Sequence, residues 1–242
     1  MLKLKLHNFG HLIQRVDSEK PPVLGKIDST DGTSWSNMKT STIINLSSGQ
    51  TVFVRGTLTS DNASYTYTQF KMNGNLSVKG NINYLWNYSN PNAALKQYCG
   101  FNLFASCTAL TDVSELKLPA TTLANHCYNS MFSGCTSLTS APELPATTLK
   151  SNCYSNMFYG CTSLTSAPEL PATTLTNSCY SYMFTLCRNL NYIKCLATNA
   201  SFSYTLSWLL SASSTGDFYK ASGANWETGV GGIPSGWTVH EV

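Results

Sequence analysis

The chain has 242 residues, enough to bury a substantial core in one large or two small domains. Charged residues make up only 11% of it, so neutral polar side chains must solvate the surface, a composition suited to work outside cells or on particles. The formal net charge of +3 comes from scattered Lys and Arg without a basic run, which leaves nucleic acid no electrostatic track to follow.

Residues 1–90 read as β structure. Leu2, Leu4 and Leu6 alternate with Lys3 and Lys5, predicting a half-buried strand with a basic outer face. Residues 1–10 lack the apolar run of a signal peptide, and no later stretch is apolar and long enough to span a bilayer. The expectation is therefore that a leader has been removed, or that the protein reaches the outside in a particle released by lysis. Pro21 and Pro22 mark residues 17–25 as a linker, so residues 1–25 read as an arm and linker. The Leu2, Leu4, Leu6 strand is then either an ordinary first strand or an assembly strand that joins another subunit by β-addition. Further strands are predicted at 42–46, 51–56, 65–72 and 76–79, separated by Ser-Gly, Asp-Asn and Asn-Gly turns. That rhythm suits a small antiparallel β-sandwich over residues 26–90.

Residues 91–242 are organised by a repeat. The segment CYNSMFSGCTSLTSAPELPATTLKSN from Cys127 recurs from Cys153 and, more loosely, from Cys179, each time 26 residues on. A further copy starts at Cys99, 28 residues before Cys127, which makes four units. Within a unit, Cys153, Met157 and Cys161 stand at i, i+4 and i+8, which predicts one apolar helical face. Pro168 and Pro171 forbid helix in the following SAPELPATTL, so each unit is predicted to be one helix and one extended segment. A unit of that size cannot bury its own apolar face, so copies must stack and equivalent residues must form columns. The predicted core is Cys127, Phe132, Cys135, Cys153, Met157, Phe158, Cys161, Cys179, Phe184 and Cys187.

The odd total of nine cysteines argues against a closed disulfide framework. Buried reduced thiols filling narrow slots are the expectation, with disulfides between or within units as the alternative. A C-x7-C pair lacks the spacing of a zinc site. Glu115, Glu143 and Glu169 form a column that is solvated or, alternatively, shares a cation such as calcium. Trp208, Trp226 and Trp237 are expected to close the last unit, within a cap over about 191–242. The alternative for such aromatics is sugar or protein contact. No catalytic, nucleotide or metal fingerprint is present, and the twelve acids suggest no converging pair. No catalytic residue, cofactor or resident metal is predicted.

MFSGCTSLTSAPELPATTL and MFYGCTSLTSAPELPATTL resemble the BspA-type leucine-rich repeats, found in surface proteins of Bacteroides-group gut bacteria and in proteins of their phages. The tail NLNYIKCLATNAS followed by GDFYKASGANWETGVGGIPSGWTV resembles the cap of such arrays, and GQTVFVRG and NGNLSVKGNINYLW resemble the small β-domain that precedes them. The likeness covers about residues 99–242 and departs from long family members by its four copies. It implies a mixed α/β chain, a small β-domain followed by a curved solenoid with a C-terminal cap, used for adhesion or particle architecture and carrying no catalytic motif. The first expectation is a virion-surface protein that contacts other virion proteins through its N-terminal arm, as an oligomer or within a larger assembly, with a host-surface protein or glycan as a further partner. A bacterial cell-surface adhesin comes second, and a secreted glycan-active enzyme third.

Overall fold

A computed structural model describes residues 75–87 and 89–242 and, ahead of them, seven strands. These are β1 (Leu2–Leu6), β2 (Gly10–Val16), β3 (Lys26–Asp28), β4 (Ser36–Asn37), β5 (Ile43–Leu46), β6 (Thr51–Arg55) and β7 (Thr68–Met72), with side chains described at Val54, Gln69 and Phe70. Then come β8 (Leu76–Asn81), α1 (Asn83–Trp86), β9 (Leu110–Asp112), β10 (Leu116–Lys117), β11 (Tyr192–Cys195), α2 (Phe202–Thr205), β12 (Gly216–Lys220) and β13 (Trp237–Glu241).

The N-terminal strands form two sheets. One runs β10-β8-β1-β6-β3-β4, with β9 also on β8, and the other runs β5-β2-β7. β1 lies between β6 and β8, antiparallel to both, with Leu4 opposite Val52 on one side and Val78 on the other. The Leu2, Leu4, Leu6 strand therefore offers no free edge for β-addition, which corrects the reading of it as an assembly arm. Alternation records which face of a strand is buried, not whether its edges are taken. β2 is likewise central to its sheet, so residues 2–16 are bonded into the same sheets as the strands that follow. The predicted linker at 17–25 and the Ser-Gly, Asp-Asn and Asn-Gly turns lie outside the described residues. At the other predicted boundary, β8 pairs in parallel with β9 and β10, so sheet hydrogen bonds cross residue 90.

The repeats carry the main departure from expectation. Where each unit was predicted to be helical, the backbone runs as consecutive turns. In the second copy, Cys127, Met131, Ser133 and Cys135 each donate to the carbonyl three residues back, while Tyr128, Ser130, Phe132 and Gly134 donate to Cys153, Ser155, Met157 and Tyr159 of the next copy. Positive φ recurs at every fourth position, at His126, Ser130 and Gly134, and again at Asn152, Asn156 and Gly160. Those are the positions where a type II turn requires it. An α-helix spends all its interior amides on itself. This ribbon spends half of them laterally, and so the backbone itself locks one copy to the next. Its period of four also keeps Cys127, Met131 and Cys135 on one side without the drift of a 3.6-residue helix, and all three are fully buried.

The extended segments differ along the stack for a reason visible in the residues. The middle copies carry Pro142 with Pro145 and Pro168 with Pro171, which have no amide for a ladder, and their inter-copy pairing is confined to isolated parallel bridges such as Thr122 with Thr148. The first copy, DVSELKL, and the last, NYIKC, lack proline and form strands, β9 and β10 against β8 and β11 against β12.

Equivalent residues form columns through one continuous core. Phe104, Phe132, Phe158 and Phe184 stack with ring centroids 5.5–5.6 Å apart and nearly parallel planes. Tyr128, Tyr154 and Tyr180 stack beside them at 6.0 and 6.2 Å. Such pairs add about 0.5–1.5 kcal/mol each to the burial of the rings. The column extends beyond the four predicted units at both ends. Phe70 of β7 stacks on Phe104 at 5.7 Å and donates its amide to Leu103. At the other end the carbonyls of Tyr204, Leu206, Trp208 and Leu210 receive the lateral amides of the fourth copy, with positive φ retained at Ser207 and Ser211. This is a fifth turn ribbon in which Trp208 takes the place of the methionine.

Candidate functional site

All ten predicted core residues are fully buried. The nine cysteines are buried and none is in a disulfide. In one column the thiols have a specific role: Cys107, Cys135, Cys161 and Cys187 donate to the carbonyls of Phe70, Phe104, Phe132 and Phe158 in the copy before, at 2.8, 3.1, 3.2 and 3.0 Å. The side chain thus adds a bond between copies at a place where an alanine would leave both a gap and a lost donor. Burial pushes the Cys179 thiol up to about 11 and those of Cys187 and Cys195 up to about 12. Cys127, Cys153 and Cys161 are raised by the same desolvation, with neighbouring thiols of the column adding to it. A thiol held protonated and out of solvent is a poor nucleophile and a poor metal ligand.

The acidic column is exposed along its length, at Glu115, Glu143 and Glu169. Its ends are compensated by lysines, Lys79 at 3.5 Å from Glu115 and Lys194 at 3.1 Å from Glu169. Lys194 precedes the buried Cys195 that the sequence alignment places on the fourth rung, so a cation of the chain's own supplies the charge balance there. Among the described residues no group of three His, Cys, Asp or Glu could hold a metal ion. No helix among them is long and apolar enough to cross a membrane. His126, the histidine nearest the cysteines in sequence, stacks on Tyr98 at 4.9 Å, and partial burial lowers its pKa.

Trp208, Trp226 and Trp237 lie at the C-terminal end and are buried. Each indole N–H reaches a backbone carbonyl, of Gly232, Ala197 and Ser213 respectively. Trp208 covers the Tyr180 ring at 6.2 Å and is covered by Trp226 at 5.2 Å. These three are therefore occupied in packing and not available for ligand contact, while Trp35 lies outside the described residues.

What the end does offer to solvent was not signalled by any motif. β11, β12 and β13 form a parallel sheet whose outer face carries Tyr192, Tyr219 and His240 in a diagonal row, with ring centroids 5.2 and 4.4 Å apart. Asp217 holds the His240 ring at 2.7 Å. Beside the sheet, Phe202 and Val230 are 57% and 65% exposed, on the rim of a shallow hollow that also involves Asn225, Trp226 and Glu227. A last feature lies near the first repeat, a cleft of about 190 Å3 walled by α1 and the following loop. No family model matches the chain, and neither a curated protein nor a solved structure matches it.

Proposed function

We propose that the chain is a non-enzymatic structural protein of a phage particle, a capsid decoration, head fibre or tail component, built as a BspA-type leucine-rich-repeat solenoid on a β-domain. In this reading it stands at the virion surface within a larger assembly and adheres to a host-surface protein or glycan. The observation that carries the reading is where the reactive side chains are. Thiols and tyrosines line the interior of the stack, and the sides are left to Ser, Thr and Asn. Such a molecule supplies length and area, not chemistry. Docking to the particle falls to the body of the β-domain, because both edges of β1 are taken within the chain. The exposed aromatic and apolar residues of the C-terminal end, Tyr192, Phe202 and Val230, suit the contacting tip.

Mass spectrometry of purified virions tests this directly. Peptides of the chain are expected at stoichiometric abundance, and their absence from the particle counts against the proposal. A bacterial cell-surface adhesin is the second reading, favoured by the same repeat resemblance, and the position of the reading frame among capsid and tail genes decides between them. A glycan-active enzyme would release sugar from host-surface glycans, and no release is expected.

A further inference from the structure

Two buried polar atoms of α1 have no hydrogen-bond partner, the Asn83 side-chain oxygen and the Trp86 indole nitrogen. Asn83 is 5% exposed, and both residues line the cleft of about 190 Å3 beside the first repeat. The orientation of the Asn83 amide is set by its surroundings. Its nitrogen donates to Pro91 O at 2.8 Å, and the flipped amide would place two carbonyl-type oxygens against each other, so the oxygen is the unsatisfied atom. Asn83 and Trp86 are three residues apart on one helical turn and present the two groups on one face. The indole rests over Gly100, where a Cβ would stand 3.6 Å from Trp86 Cζ2 and 3.0 Å from Tyr128 Cδ1. A buried acceptor or donor left unsatisfied costs about 1–3 kcal/mol, so the pair is a stored demand for a ligand.

We infer that this cleft binds a saccharide residue, one hydroxyl of which serves both groups by donating to Asn83 Oδ1 and accepting from Trp86 Nε1. Elimination leads to the hydroxyl. A carboxylate or phosphate oxygen accepts from the indole but repels the amide oxygen, and an ammonium group does the reverse. A trans peptide unit carries its donor and its acceptor on opposite sides. A hydroxyl combines both roles at one atom. The remaining wall fits the rest of a sugar ring: Trp86, Pro91, Ala93, Ala94 and Leu95 offer apolar surface to its C–H face, and Asn87 and Asn90 stand at the polar rim. The volume lies below the roughly 300–1,000 Å3 of a drug-sized pocket, which limits the occupant to a single ring.

The inference gives the adhesive reading a site and rests on that reading for the source of the sugar. Its test uses the full chain titrated with glucose, galactose, mannose and N-acetylglucosamine, read at the indole N–H resonances and assigned through Trp86→Phe. The expected result is a saturable shift of the Trp86 resonance with at least one of these sugars, with a dissociation constant in the millimolar range. Trp86→Phe, which keeps the packing and removes the donor, is expected to weaken that binding at least about ten-fold, a loss of about 1.4 kcal/mol. No shift with any of them, together with a water cross-peak at the Trp86 N–H, means that the cleft holds water only and overturns the inference. A shift without peptides in virions leaves the site standing and the particle reading fallen, whereas peptides without a shift leave the particle reading standing and the site fallen.

Discussion

The two middle copies and the two ends of the stack reach the same geometry with different residues. In the middle, Cys127 to Asn152 and Cys153 to Ser178 repeat almost letter for letter, and prolines keep their extended segments out of ladders. At the ends, Phe70 continues the phenylalanine column from a strand, and Trp208 with Leu209 replaces Met and Phe in a fifth ribbon whose letters barely match. What is common to both is the backbone, with lateral amides at alternate residues and positive φ at every fourth. Identity between copies therefore reports that the middle positions see identical neighbours above and below. The ends, which face a sheet on one side and the cap on the other, are free to differ.

The largest expected effect concerns the N-terminal end. Removing residues 1–20 takes away β1 and β2, the strands at the centre of both N-terminal sheets. The expected outcome is loss of those sheets, seen as rapid proteolysis of residues 26–81, not a folded chain that merely fails to assemble. A truncated chain that stays protease-resistant would mean that β1 is dispensable after all.

If ends and middle do the same work with different residues, truncating either should cost the same. Phe158→Ala removes a ring stacked at 5.6 and 5.5 Å on its neighbours, and Trp208→Ala removes the ring that covers Tyr180. Each is expected to lose about 3–5 kcal/mol in urea unfolding. Lys150→Ala, at an exposed position matched by Thr176, should change stability by less than about 0.5 kcal/mol. A small loss for Trp208→Ala alone would separate the cap from the stack.

The thiol columns predict a pH dependence. A thiol whose folded pKa is raised stabilises the fold fully below its unfolded value, and that stability drains away as pH rises from there through the folded value. For Cys179, Cys187 and Cys195 the window opens near 9 and closes near 11–12. Within it each thiol that ionises only in the unfolded chain lowers stability by about 1.4 kcal/mol per pH unit. The urea midpoint should be flat to about pH 8 and fall steeply above about 9, and a midpoint unchanged at pH 10 would place the thiols in solvent or in disulfides.

The smallest effect separates an end copy from its templates at one position. Gly134 and Gly160 adopt φ 73° and 69°, whereas the equivalent in the fourth copy is Leu186 at φ 63°. Leu186→Gly relieves a left-handed leucine and is expected to raise stability by about 1 kcal/mol, measured by the same urea titration. A loss would show that the leucine side chain contributes packing greater than the strain.

Much of this was legible in the residues and some was not, for identifiable reasons. The 26-residue period, the copy boundaries, the buried columns and the constraint of the prolines follow from spacing and side-chain type. The turn ribbon did not, because over nine residues a period of four and a period of 3.6 bury the same Cys, Met and Cys. Lateral hydrogen bonding leaves its trace in Ser130, Asn156 and Gly160, small or polar residues at left-handed positions that also suit a helix surface. The fifth ribbon was hidden because its neighbours are aromatic cap residues. The edges of β1 were not legible at all, since no residue records which strands its backbone meets, and β2 lacks alternation in GHLIQRV. The cleft at Asn83 and Trp86 is two residues in NYLW and has no motif.

The central claim is that the copies are joined by backbone hydrogen bonds from one turn ribbon to the next. Scalar couplings across hydrogen bonds, measured on isotope-labelled protein, report it bond by bond. The structure predicts a coupling from the amide nitrogen of Phe158 to the carbonyl carbon of Met183, 25 residues away, and likewise from Tyr154 to Cys179 and from Gly160 to Thr185. Couplings from Phe158 to Tyr154, four residues back, would instead mean that each unit is a helix closed on itself, and the account of the stack would be wrong.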